Sequence, residues 1–210
     1  MARTREVVLA SRNPHKLREL SSLLAPLALV RLPDDVELPA EVGASFAENS
    51  LIKARAAARA TGRAALADDS GIEVAALGGA PGVRSARYAG EHATDEQNLT
   101  KLLDDLSDAV DRRAAYVCVL ALVEPVSGGS LRETVVEGRC EGMLIDVPRG
   151  SGGFGYDPAF VPNEQAEQNL TMAEISEAAE AAESAQAGKD AISHRGAAAA
   201  RLLRLLEGSA

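Results

Sequence analysis

The chain has 210 residues, 46% of them apolar but with only three Tyr, three Phe and no Trp, and a formal net charge of −9. That length provides for one sizeable core, to be filled mainly by Ala, Leu and Val. The negative balance argues against a nucleic acid polymer as partner, because such binding rests on Lys and Arg neutralising phosphates, yet a local basic pocket could still hold a small anion.

The chain enters directly on the strand pattern REVVLAS, so no signal peptide and a cytoplasmic protein are expected. Residues 7 to 11 read as a short buried strand. Asn13 then reads as an N-cap with Pro14 at the first helical position, and Leu17, Leu20, Leu23 and Leu24 share one face of the helix that follows. Residues 31 to 44, with Pro33 and Pro39, read as loop with at most a short strand. Ser45 and Glu48 have the spacing of a capping box, opening a helix that stops at Gly62. AALA (64–67) reads as a strand ending at the acidic pair Asp68–Asp69, and GIEVAAL as a second short strand. Residues 78 to 90 are loop. Thr94 and Gln97 make another capping box before a helix. Residues 114 to 124 are the longest apolar run and read as a central strand. One or two strands follow, then a glycine loop, a short aromatic strand, an Ala/Glu-rich low-complexity stretch and a closing helix. Cys118 and Cys140 form neither a disulfide framework nor a CxxC pair and read as buried free thiols. No apolar run approaches the ~20 residues of a membrane span. The class is α/β with a mixed sheet.

Five stretches have the composition of a site. S11-R-N-P-H-K16 lies at a strand-to-helix junction, where free N–H groups and the helix dipole favour an anion and Lys16 can reach it. A plain cap with a surface lysine is the competing reading. Lys53 shares a helix face with Asn49. Asp68 and Asp69, adjacent on extended chain, must point to opposite sides and take different roles; carboxylates are the oxygen ligands Mg²⁺ requires, and one beside the metal can take a proton from water. An acidic turn explains the pair equally simply. In G150-S-G-G-F-G155-Y-D-P the glycines match G-x-G-x-x-G, but Pro158 and AFVP follow instead of a helix, which excludes a dinucleotide fingerprint. The loop instead offers Phe154 or Tyr156 as a stacking surface with Asp157 beside it, against core packing of both rings. Finally, Lys189, His194 and Arg195 put three donors near the start of the last helix, with Ser193 as its N-cap. His15 and His92 lack companions at zinc spacing. Of the 22 basic residues only four are Lys, at 16, 53, 101 and 189; where a chain so rich in Arg keeps a compact ammonium, that group is a candidate for a specific contact.

Together LASRNPHKLREL, EVGASFAENSLIKARAAA, ADDSGIEVAALGGAPGVRSARYAG, GGFGYDPAFVP and ISHRGAA, in this order over nearly the whole chain, resemble the non-canonical purine nucleoside triphosphate pyrophosphatases, also called inosine triphosphate or XTP/dITP diphosphatases. The resemblance implies an elongated α/β fold, one domain over 1–210 with a mixed central sheet flanked by helices and a substrate cleft between two lobes, usually as a homodimer. It implies Mg²⁺-dependent hydrolysis of ITP, dITP and XTP to the monophosphate and pyrophosphate. Residue by residue, it makes Asp69 the catalytic base and a metal ligand, Glu41 a second ligand and Asp68 a further candidate. Ser11, Arg12, Asn13 and Lys16 become the triphosphate-binding turn, Lys53 another phosphate contact and Ser70 a substrate contact. Phe154, Gly155, Tyr156, Asp157, Lys189, His194 and Arg195 become the nucleotide-binding set. Two departures stand out: Arg12 replaces a glycine-like position, and the Ala/Glu-rich segment before Lys189, about 174–188, is longer than usual. Rival readings are a pyrophosphatase for other modified nucleotides on a related scaffold, a silent nucleotide-binding sensor, and an interaction module built on the Ala/Glu segment.

Overall fold

A computed structural model of the chain describes residues 5–181 and 192–208. In chain order the elements are β1 (Arg5–Leu9), α1 (Pro14–Leu23), β2 (Leu27–Arg31), α2 (Phe46–Thr61), β3 (Ala65–Val74), α3 (Asp95–Asp105), β4 (Arg113–Pro125), β5 (Leu131–Leu144), β6 (Phe160–Pro162), α4 (Met172–Ala181) and α5 (His194–Glu207). The six strands form one sheet in the order β2-β1-β3-β4-β5-β6. β1 runs parallel to β2 and β3, and β5 antiparallel to β6, so the sheet is mixed as expected. The chain divides into two compact units. The first holds Met1–Asp69, Cys118–Gly138 and Ala198–Ala210; the second holds Ser70–Val117 and Arg139–Ala197.

The first unit buries both faces of its strands, and residue parity sorts the side chains. Val7, Leu9, Leu66, Cys118, Leu120 and Leu122 join Leu20 of α1, Leu24 at its C-cap and Ala198, Ala199 and Leu202 of α5 in one core. The alternate residues Val8, Ala10, Ala65, Ala67, Ala121 and Val123 pack on Ala54, Ala57 and Ala58 of α2 in another. The buried stripe of α2 has the helical spacing Phe46, Asn49, Ser50, Lys53, Ala54, Ala57, Ala58. Its C-terminal half is alanine, which brings the helix close to the sheet. Its N-terminal half is polar. Ser50 Oγ donates to the carbonyls of Ala67 (2.9 Å) and Val119 (3.1 Å), satisfying a hydroxyl that burial would otherwise penalise. The second unit has its own core of Ile72, Val74, Leu99, Leu102, Leu106, Tyr116, Cys140, Phe160 and Met172, among others.

The structure departs from the sequence expectations in three places: β3, β2 and the first turn of α2. Residues 65–74 form one continuous strand, so the acidic pair lies inside it, not at its end. Backbone pairing overrides the weak strand propensity of Asp and Gly there. β2 lies between the α1 pattern and the loop expected from residue 31, where the sequence marks no strand; it forms because Arg5–Leu9 offers a parallel edge from Leu27 to Arg31. Of the Ala/Glu-rich segment, residues 182–188 lie outside the described residues; ahead of them Ser176 and Ala179 of α4 are buried. At the start of α2, Ser45 Oγ accepts from Glu48 N (3.2 Å), but the Glu48 carboxylate reaches one residue further back than a capping box requires, to Ala44 N (2.6 Å). The box at Thr94 and Gln97 is complete, and both cysteines are free and buried.

Candidate active site

In the first unit the opposite-facing carboxylates of β3 meet different lysines. Asp69 continues the Ala65–Ala67 parity toward α2, and Asp68 continues the Leu66 parity toward α1. Accordingly Lys16 Nζ lies 2.9 Å from Asp68 Oδ2, while Lys53 Nζ lies 3.5 Å from Asp69 Oδ1. Lys53 also donates to Glu41 Oε1 (2.6 Å) and to the Asp68 carbonyl (2.7 Å). Asn49 Nδ2 donates to Asp69 Oδ2 (3.1 Å), and its own Oδ1 accepts from Gly43 N (2.7 Å), tying the loop after Glu41 to the same cluster. Asn13 caps α1 by accepting from the N–H groups of His15 (2.8 Å) and Lys16 (3.4 Å), and Ser11 Oγ accepts from Asn13 N. Arg12 is turned to the following loop, donating to Asp34 Oδ1 and to the carbonyls of Asp34 and Val36 (2.7 Å for the last).

One ammonium here serves two carboxylates, and the titration behaviour follows. Burial raises the pKa of Asp69; Lys53 pulls it down, Glu41 pushes it up, Asn49 and Lys16 pull it down, and the net is a carboxyl above its ordinary value. Burial pulls Lys53 downward, but Asp69, Glu41 and Asp68 outweigh it and hold the ammonium above its ordinary value. Among the described residues no three His, Cys, Asp or Glu side chains form a metal cluster by themselves. Glu41 and Asp69 reaching one cationic centre is nevertheless the donor set that Mg²⁺ uses, with one or two carboxylates from protein and the remaining oxygens from water and phosphate.

The second unit carries a pocket of about 120 Å³ lined by Ser70, Tyr116, Phe154, Gly155, His194 and Arg195, among others. A single water needs only ~10–15 Å³ by this measure, so the space suits a ring-sized ligand. Phe154 is 51% exposed, and the Arg195 guanidinium lies over its ring at 5.5 Å. Arg195 Nη2 also donates to Ser70 Oγ (3.1 Å). Tyr156 lines the same pocket and is anchored from behind. It is buried, and its hydroxyl donates to the Ser85 carbonyl (2.7 Å), so it roots the loop in the core. Asp157 Oδ2 accepts from Phe154 N (3.1 Å), and Gly155 N donates to Asp95 Oδ2 (2.8 Å). Ser193 Oγ accepts from Gly196 N (2.9 Å), the expected cap that starts α5 at His194.

The structure thus gathers Lys16, Lys53, Asp68, Asp69 and Glu41 in one unit, and Ser70, Phe154, Gly155, Tyr156, Asp157, His194 and Arg195 in the other. Lys189 lies outside the described residues. Lys101 is the lysine with no place in either group: it pairs with Asp105 at 2.9 Å over the Tyr88 ring. Two participants escaped the sequence reading as site residues. Asn49 was noticed only as a neighbour of Lys53, although its place on the buried stripe of α2 marks it. Tyr116, inside the apolar run of β4, carries no sequence signal.

Comparison with known proteins gives a consistent result. The model of the Ham1 family matches residues 7–205. A dITP/XTP pyrophosphatase of Frankia alni is 48% identical over 211 residues, covering 95% of this chain and 96% of that protein. One of Mycobacteroides abscessus is 44% identical over 211 residues, covering 96% and 94%. A solved HAM1 protein from Coxiella burnetii superposes with a TM-score of 0.82 at 41% identity, covering 98% of this chain and all of that one.

Proposed function

The chain belongs to the Ham1 family, and from that premise we propose that it hydrolyses deaminated purine nucleoside triphosphates, dITP, XTP and ITP, to the monophosphate and pyrophosphate. The observation that carries the reading is the division of the Asp68–Asp69 pair between Lys16 and Lys53. It leaves Asp69, buried and with its pKa raised, as the carboxylate suited to take a proton from water.

In this reading the α–β anhydride bond breaks. The attacking water loses its proton to Asp69, held in orientation by Asn49. Lys16, Lys53 and the N-terminus of α1 face the polyphosphate and offset its charge, which is where most of the catalytic effect in phosphoryl transfer resides. Glu41 and Asp69 would hold a divalent ion, which we take to be Mg²⁺, and bound there it supplies charge neutralisation for the departing pyrophosphate. The base enters the pocket of Phe154, His194 and Arg195. Arg195 donates to an oxygen at purine C6, where adenine presents a donor, and a site with an unmet hydrogen-bonding group discriminates strongly.

The test is pyrophosphate release from ITP, dITP, XTP, GTP and ATP, with Mg²⁺ and with EDTA. Release from the deaminated purines that EDTA abolishes is expected; equal rates on ITP and ATP would remove the reading. The homodimer implied by the family resemblance and the cytoplasmic location expected from the sequence belong to the same proposal. Sedimentation equilibrium should give twice the 21.8 kDa chain mass.

A further inference from the structure

We propose that Tyr116 is a positioning residue for base recognition, holding His194 with its ring and the Phe154–Asp157 loop with its hydroxyl. The inference rests on the pocket being the purine site and names a residue through which that site is held. Tyr116 lies on β4, buried at 5% exposure. Its ring stacks on the His194 imidazole with centroids 5.0 Å apart and planes 15° from parallel, and meets Phe160 edge-on at 4.8 Å. Its hydroxyl donates to Asp157 Oδ1 at 2.7 Å.

The core alone does not call for that hydroxyl. A Phe would make the same two ring contacts without the cost of burying an O–H. What the hydroxyl adds is a hold on Asp157. With Oδ1 engaged by Tyr116 and Oδ2 by Phe154 N, the carboxylate has a fixed orientation. That orientation fixes the backbone at Phe154, a segment between Gly153 (φ +74°) and Gly155 (φ +61°) with the freedom to move otherwise. Phe154 in turn carries the Arg195 guanidinium over its ring, and Arg195 reaches Ser70. One buried side chain therefore sets both the histidine and, through Asp157, the aromatic platform under the arginine.

The experiment compares kcat and KM on ITP and on ATP for the wild type and Tyr116→Phe, with thermal melts of both. Loss of one hydrogen bond to a charged acceptor should raise KM for ITP about 10-fold. kcat should stay within about 2-fold and kcat/KM for ATP should hold, so that discrimination between the two falls by the same factor. A purely structural tyrosine would lower the melting temperature and the active fraction on both nucleotides alike, leaving KM and discrimination unmoved. That result, or an unchanged variant, overturns the proposal while the functional reading stands. A wild type that turns over no nucleotide overturns both. Should Tyr116→Phe fail to fold, Asp157→Asn carries the test. Its amide oxygen can keep Phe154 N while its NH2 turns to the Tyr116 hydroxyl, which exchanges a hydrogen bond to a charged acceptor for a weaker neutral one, and a smaller ITP-specific rise in KM, about 3-fold, is expected; its absence overturns the proposal.

Discussion

Asp69 sits where two influences on a carboxylate oppose each other: burial favours its neutral form and Lys53 its charged form. Asp69→Asn keeps the shape and a hydrogen-bonding partner for Asn49, so the fold should survive while kcat falls at least ~100-fold, the scale of a general base; steady-state kinetics with a melting curve check both halves. The raised pKa also fixes a sign. In the metal-free protein the Asp69 carboxyl should take up its proton above the range of an ordinary exposed carboxylate as pH falls, as a chemical-shift titration would show, and added divalent ion should shift that titration downward. Lys53 is the other sensitive point. Lys53→Met leaves the buried Asp69 and the half-buried Glu41 without their shared ammonium, and taking the partner from a buried charge costs about 3 kcal/mol. Urea denaturation at neutral pH should show the loss, and acid should lessen it, because protonating either carboxyl removes the repulsion.

Among the elements, the loop that carries Phe154 depends on residues with no side chain. A Cβ on Gly153 would stand 2.1 Å from Asp157 Oδ2 and 3.2 Å from Ser176 Oγ of α4, at a φ of +74° that L-residues avoid. Gly153→Ala should therefore displace the carboxylate that positions Phe154 and lower kcat/KM on the order of 10- to 100-fold. Gly71 is the counterpart on β3, where a Cβ would meet Ser85 Oγ at 2.4 Å. The caps behave more simply. Thr94→Ala removes the acceptor for Gln97 N and half of a complete capping box, at a cost of about 1 kcal/mol. Of these features, the caps and the stripe of α2 are readable along the sequence, because they follow from spacing within a few residues. The strand β2 is not. Its residues have no alternating pattern, being half-buried from Leu27 to Val30, and only the edge of β1 makes a strand of them. The strand end expected at 68–69 is absent for the same reason, since the ladder through β3 continues past residues that locally favour a break.

Across the whole molecule the few aromatics are placed so that none is a free phenol. Burial is the main cause that raises all three tyrosines: Tyr88 to about 12 with help from Asp105, and Tyr116 and Tyr156 further above their ordinary value. A group whose folded pKa is raised contributes stability below its unfolded value and loses it as pH climbs through the folded one. The folded protein should thus show almost no tyrosinate absorbance near pH 10, where the unfolded chain is half ionised, and should lose stability from pH 10 upward. Burial likewise pushes Cys140 up to about 12, so alkylating reagents should label it only in denaturant. From its residues alone the sequence determined the α/β class, the helix caps, the opposite facing of Asp68 and Asp69 and the identity of most charged groups near them, because these depend on periodicities of two and 3.6 and on short-range hydrogen bonds. Only the tertiary structure decided that Asp68 meets Lys16 while Asp69 meets Lys53, that Tyr156 is buried at the pocket wall while Phe154 stays exposed, and that Tyr116 joins His194 to Asp157. Those contacts join segments far apart in the chain, and no local pattern specifies which distant side chain a buried strand residue will touch.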